Sequence, residues 1–248
     1  MKEKRMKRIS FLFYACFIIA VVALLYWLVT GNNPLIKELK QKASISAMQG
    51  NHNKYNMTIT SSGDGDSAWY LILVNKWNPI PDNYKMDLEE LSNGESVDKR
   101  IYPSLQEMFD AARSENIYPV VASGYRTKQV QQSIMKEKIQ EYKKQGLSNH
   151  EAQTKAEAWV ALPDTSEHQL GLSVDINADG IHSKGEEVYR WLDQNSYKYG
   201  FIRRYPANKT EITGVIHEPW HYRYVGVDAA KVMHKQGICL EEYLNKTS

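Results

Sequence analysis

Two stretches decide how the chain is read: Ser166-Glu167-His168-Gln169-Leu170-Gly171-Leu172-Ser173-Val174-Asp175 and, about fifty residues on, His217-Glu218-Pro219-Trp220-His221-Tyr222. In the first, Gly171 permits a tight bend. A strand after it would set alternate side chains on one face, turning Asp175 back toward the loop that carries His168. In the second, Pro219 within an aromatic run predicts an extended loop leading into a strand, with Trp220 and Tyr222 walling the site from water. Strands this short, joined by tight turns, belong to a mixed sheet and not to a doubly wound one.

The side chains of these stretches have a shared chemistry. Two histidines and one carboxylate, with a position left to water, form a ligand set used by catalytic zinc. His168, Asp175 and His221 are the candidate ligands. Glu218, three residues before the last imidazole, is the candidate base for a water molecule. Taken singly, His168 and Asp175 fit a capped or salt-bridged histidine better than a metal site, and Glu218 and His221 fit an exposed acid beside a core histidine as well as a metal site. Both stretches in one chain favour the metal. Arg126, in the turn Ser123-Gly124-Tyr125-Arg126, is placed to bind a substrate carboxylate bidentately. Gln131, one helical turn further on, can add a donor.

Working outward, Tyr70-Leu71-Ile72-Leu73-Val74 reads as a buried strand. Pro103 and Ser104 open a helix with the apolar stripe Leu105, Met108, Phe109 and Ala112. Tyr118 to Ala122 is a second strand. Thr127 to Lys144 is a charged helix, and Ser148 to Val160 another, with Ser148 and Glu151 as its capping box. Leu172 to Ile176 is a strand, and Glu186 to Tyr197 a helix burying Val188, Trp191 and Leu192. Phe201-Ile202 and Tyr222 to Val225 are strands, and a helix over Asp228 to Gln236 closes the chain. The expected fold is α+β: a single small mixed domain, residues 69–248, with a short antiparallel sheet and flanking helices.

In front of that domain lies a different composition. Residues 1–10 carry Lys2, Lys4, Arg5, Lys7 and Arg8 against Glu3, so the overall net charge of +2 leaves a slightly acidic body. The body thus has no basic excess of the kind a nucleic-acid partner requires. Residues 11–29, Phe11 to Val29, form an uncharged run of nineteen, long enough to span a bilayer as a single-pass helix. The basic block before it would hold the N-terminus in the cytoplasm and the rest outside a bacterial cell membrane. A cleaved signal peptide normally has a shorter apolar core and a small-residue cleavage site, which is missing here. Residues 30–68 turn polar and read as a linker. The two cysteines, Cys16 and Cys239, cannot form a disulfide framework. Asp64 and Asp66 lack the bidentate Glu of a calcium loop and fit turn chemistry.

Ser166-x-His168-x-x-Gly171-x-x-x-Asp175, followed by Glu218-Pro219-Trp220-His221, with Ser123-Gly124-Tyr125-Arg126 upstream, resembles the VanY family of D-alanyl-D-alanine carboxypeptidases. These are zinc peptidases related to VanX dipeptidases, L,D-carboxypeptidases and Hedgehog-type domains. Leu73-Val74-Asn75-Lys76, Lys198-Tyr199-Gly200-Phe201-Ile202 and Tyr222-Arg223-Tyr224-Val225-Gly226 add to the likeness, which runs from about Trp69 to the C-terminus. The resemblance implies one Zn2+ per chain on His168, Asp175 and His221, with Glu218 as base. It implies Arg126 for carboxylate binding or transition-state stabilisation, and Ser166 and Gln131 in substrate contact. The substrate it implies is the peptidoglycan stem peptide, from which the terminal D-Ala is removed. Asp164 and Asn78 depart from the family pattern, which often has Gly and His there, and either change bears on the pocket.

Three rivals remain. An L,D-carboxypeptidase acting on tetrapeptide stems shares these motifs. A zinc-containing wall-recognition module without turnover would not need Glu218. A serine carboxypeptidase would use Ser133-Ile134-Met135-Lys136 as its Ser-x-x-Lys, but no Lys-Thr-Gly follows.

Overall fold

The computed structural model describes residues 69–247. The basic tail, the apolar run and the polar linker expected over residues 1–68 lie outside the described residues. After a single 3-10 turn at Trp69–Leu71, strands Leu88–Glu90 (β1) and Ser96–Asp98 (β2) pair as an antiparallel hairpin. Helix Tyr102–Ser114 (α1) follows. Pro103 sits in its first turn, where a missing N–H breaks no helical bond, and its Leu105, Met108, Phe109 and Ala112 are buried.

Strand Pro119–Ser123 (β3), helix Lys128–Lys144 (α2) and helix Asn149–Glu157 (α3) come next. The α2 N-cap is Thr127, whose hydroxyl accepts from the Val130 amide. Ser148 and Glu151 close a reciprocal capping box on α3, satisfying two amides that the first turn leaves without partners. Then follow strand Ser173–Ala178 (β4), helix Gly185–Asn195 (α4), strand Phe201–Tyr205 (β5) and the short helix Thr210–Thr213 (α5). Strand Glu218–Tyr224 (β6) and helices Val227–Gln236 (α6) and Leu240–Thr247 (α7) complete the described chain.

The main sheet is antiparallel throughout, in the order β3-β4-β6-β5. Period-two alternation divides its faces. Val121, Val174, Ile176 and Tyr222 enter the core with Met108, Leu170, Leu172 and Leu192. Asp175 and His221, which pair directly across β4 and β6, belong to the opposite face. A second apolar cluster of Ile202, Val225, Ala229, Met233 and Leu240 packs α6 and α7 beside β5. The fold is a mixed α+β domain with small antiparallel sheets and helices.

Two bulges shape the polar face. In β3, Val121 pairs with Ile176 and Ser123 with Asp175, so one extra residue, Ala122, sets Ser123 opposite Asp175. In β6, Arg203 pairs with Tyr222 and Tyr205 with Glu218, so four steps on β6 lie against two on β5. Strict alternation would send Glu218 and His221 to opposite faces. The bulge at Pro219 and Trp220 breaks that parity, and Pro219 has no N–H to lose from the ladder.

Several expectations are corrected. Tyr70 to Val74 is not a strand. The Arg223 guanidinium takes the carbonyls of Tyr70 and Ile72 at 3.0 and 2.8 Å, where a neighbouring strand would have offered amides. β6 begins at Glu218, not at Tyr222. Tyr222 does not wall the site, because alternation carries it into the core, where it is fully buried. The β1–β2 hairpin and α7 carry charged or short segments that periodicity did not mark.

Candidate active site

His168 lies in the 3-10 turn Glu167–Leu170, which ends at Gly171 with φ +70°. A Cβ on Gly171 would stand 2.8 Å from the Asp98 amide nitrogen, while the Gly171 carbonyl accepts that same amide at 2.9 Å. The bend therefore needs glycine both for its backbone angle and for its closeness to β2. Gly124 packs still closer, since a Cβ there would collide with the Ser96 carbonyl oxygen. Its own carbonyl lies 2.7 Å from His168 Nδ1. A carbonyl only accepts, so Nδ1 carries the proton and Nε2 is left as a donor atom for a metal.

The three candidate ligands converge. His168 Nε2 stands 3.4 Å and His221 Nδ1 3.2 Å from Asp175 Oδ1. One donor atom from each residue lies within 4.8 Å of the others. Asp175 Oδ1 is buried and has no hydrogen-bond partner, an arrangement that a cation between the three atoms would satisfy. The electrostatics agree. Burial pushes His168 down, keeping it in the neutral form that binds metals. Burial would do the same to His221, but Asp175 and Glu167 outweigh it and lift the imidazole to about 9. Asp175 is held well below the usual carboxylate range, its burial being outweighed by the two histidines. The site draws positive charge to itself.

Glu218 Oε2 lies 3.6 Å from His221 Nδ1. Burial, with help from Asp175, raises its carboxyl to about 7 although His221 and Arg126 oppose the shift. Arg126 donates from Nε to Ser123 Oγ at 2.9 Å and from Nη2 to Asp175 Oδ2 at 2.5 Å. Gln131 reaches from α2 and donates Nε2 to the Ala161 carbonyl at 2.7 Å; its buried Oε1 has no partner.

All seven residues named from the sequence (Arg126, Gln131, Ser166, His168, Asp175, Glu218 and His221) line one cleft of about 240 Å³, with Trp220 beside them. His182 and His217 are both exposed, and neither belongs to the His168–Asp175–His221 group. Ser133 faces solvent on α2, so the Ser-x-x-Lys reading has no site. Neither Asn78 nor Asp164 lines the cleft. Asp164 holds a left-handed φ of +66°, a conformation glycine adopts at no cost, and its side chain pairs with Lys128.

Two residues escaped sequence reasoning. Tyr205 is buried and sets its ring 4.9 Å from that of His221. Glu167 is wholly buried beside the other edge of His221, its Oε2 3.5 Å from Nε2. Burial would raise the Glu167 carboxyl, but Arg204 and Arg223 hold it well below the usual range. Its position next to His168 was the available signal, but a lone acid in a turn reads as exposed.

Comparison with known proteins bears on this geometry. Residues 94–227 match the VanY family, described as D-alanyl-D-alanine carboxypeptidase. A D-alanyl-D-alanine carboxypeptidase of Enterococcus faecalis is 64% identical over 191 residues, covering 77% of this chain and 71% of that protein. The solved structure of VanYB in complex with D-alanine-D-alanine is 66% identical, with TM-score 0.72, over 73% of this chain and 99% of the other. A mutant of the vancomycin resistance D,D-pentapeptidase VanY from the VanB-type cassette, in complex with Zn(II), gives 66% identity and TM-score 0.70 over 71% and 99%. The L,D-carboxypeptidase LdcB is 36% identical, TM-score 0.57, over 70% and 85%. The ligand triad, the buried acid beside it and a family match that spans both motifs lead to one conclusion: this chain belongs to the VanY family of D-alanyl-D-alanine carboxypeptidases.

Proposed function

We propose that the chain is a zinc-dependent D,D-carboxypeptidase that removes the C-terminal D-Ala from peptidoglycan stem peptides. In this reading residues 11–29 anchor it as a single-pass protein in a bacterial cell membrane, with residues 69–248 outside and residues 30–68 as linker. The observation that carries the activity is the convergence of His168 Nε2, Asp175 Oδ1 and His221 Nδ1 with Glu218 3.6 Å from His221. The relatives solved in complex with Zn(II) and with D-alanine-D-alanine support the metal and the substrate class. The apolar run and the basic block before it support the anchor.

One Zn2+ on His168, Asp175 and His221 supplies a Lewis acid that polarises the scissile carbonyl and makes water a stronger acid. This chain's own residues do the rest. Glu218, with its carboxyl near 7, takes a proton from the attacking water and returns it to the leaving D-Ala amine. Arg126 presents its guanidinium to the cleft for the substrate carboxylate or the developing oxyanion. Gln131 Oε1, buried without a partner, accepts a substrate N–H. Ser166 lines the same wall. Trp220 shields the reacting atoms from bulk water.

The test is D-Ala release by the full-length protein from matched pentapeptide and tetrapeptide stems, with and without a chelator. Chelator-sensitive release from the pentapeptide is the expected result. Preference for the tetrapeptide would move the protein to the L,D class that LdcB represents. No release from either stem, with zinc bound, would leave a recognition module.

A further inference from the structure

We propose that Glu167 is a positioning residue for His221: it fixes the tautomer that presents Nδ1 to the metal, and its own carboxylate is held by a buried charge network that extends beyond the family-matched segment. The inference rests on the zinc reading above. The two histidines approach Asp175 through different ring nitrogens, His168 through Nε2 and His221 through Nδ1. For His168 the proton on the far nitrogen is held by the Gly124 carbonyl. For His221 the far nitrogen, Nε2, is buried without a hydrogen bond, and Glu167 Oε2 lies 3.5 Å from it. A small closing movement turns that contact into the carboxylate–histidine pair that commonly orients metal ligands.

The remaining lone pairs of Glu167 are committed. Oε1 accepts from Arg204 Nε at 2.8 Å and from Arg223 Nη1 at 2.7 Å, and Oε2 also accepts from Ser173 Oγ at 3.1 Å. Arg204 makes a bidentate pair with Glu241 at 2.9 and 2.7 Å, and Asn75 donates to Glu241 at 3.1 Å. Arg223 donates from Nη2 to the carbonyls of Tyr70 and Ile72 and from Nε to that of Tyr224. Two buried cations thus face two buried anions. Tyr70, Ile72, Asn75 and Glu241 all fall outside residues 94–227.

This geometry dictates what an amide would do at position 167. Arg204 and Arg223 carry only donors, so the carbonyl oxygen of a Glu167→Gln side chain must face them. Its NH2 then points at His221 Nε2 and forces the imidazole proton onto Nδ1, the ligating atom. Loss of an outer-shell partner typically lowers metal affinity about 10–100-fold.

The experiment measures zinc affinity of the full-length protein by competition with a chelator, using zinc alone, for wild type, Glu167→Gln and Glu241→Gln. Glu167→Gln should bind zinc at least tenfold more weakly. Glu241→Gln disturbs the same network one step away, and should lower thermal stability while leaving zinc affinity within about threefold. In wild type, nitrogen-15 spectra of the zinc-loaded protein should show His221 coordinated through Nδ1, with a slowly exchanging proton on Nε2, a readout that survives even if a variant fails to fold. Unchanged affinity in Glu167→Gln, equal loss in both variants, or an Nε2-coordinated His221 would overturn the proposal. Wild type that binds no zinc would overturn the metal reading itself.

Discussion

Replacing Glu218 by Gln should stabilise the metal-free protein at alkaline pH. Burial raises the Glu218 carboxyl from its ordinary 4.5 to about 7. Below pH 4.5 the group is protonated in folded and unfolded chains alike, and the substitution changes little. Between 4.5 and 7 the folded state binds a proton that the unfolded state has released, so stability falls as pH rises. Above 7 the whole penalty is present. At about 1.4 kcal/mol per pH unit, a displacement of this size is worth about 3 kcal/mol. Part of that is offset because the Glu218 charge also supports a protonated His221 3.6 Å away. A net gain of about 1–3 kcal/mol at pH 8.5 follows, or several degrees in Tm for a domain of this size. Urea denaturation in chelator at pH 5 and pH 8.5 measures it. Zinc, by neutralising the site, should erase most of the difference. A Glu218→Gln effect equal at both pH values, or destabilising at pH 8.5, would refute the reasoning.

Three other substitutions probe the scaffold. Gly171→Ala forces a side chain into φ +70° with its Cβ 2.8 Å from the Asp98 amide; a loss of about 2 kcal/mol or more and weaker zinc binding are expected from denaturation and chelator titration. Arg204→Met leaves the Glu167 and Glu241 carboxylates without their shared partner at a fully buried position, which should destabilise by about 3–5 kcal/mol in urea. Ser148→Ala removes the capping box at the exposed start of α3 and should lower stability by about 1 kcal/mol, with kcat/KM for the pentapeptide unchanged.

How much of this was legible in the sequence depended on range. The helices were readable because their signals are local. Val188, Trp191 and Leu192 recur at helical spacing and are buried on α4, and Ser148 with Glu151 is a cap visible in four residues. The ligand set was readable as a motif, since His168 and Asp175 share one bend and one strand. What escaped depends on partners far along the chain. The apolar run Tyr70 to Val74 has the composition of a strand, but its carbonyls go to the side chain of Arg223, more than 150 residues away. The β6 bulge, which brings Glu218 onto the His221 face, exists only in the pairing of four steps of β6 against two of β5. Glu167, Arg204 and Glu241 read singly as solvated charges. Only the fold brings Arg204 between two acids, each 37 residues away, and encloses all three.

The most direct test of the central claim is the zinc content of Glu218→Ala, measured beside its rate of D-Ala release. If His168, Asp175 and His221 hold the metal and Glu218 moves the proton, the variant keeps one zinc per chain while turnover falls by about 10²–10⁴-fold. Near-wild-type turnover would contradict Glu218 as the base, and loss of zinc would show that Glu218 belongs to the ligand set instead.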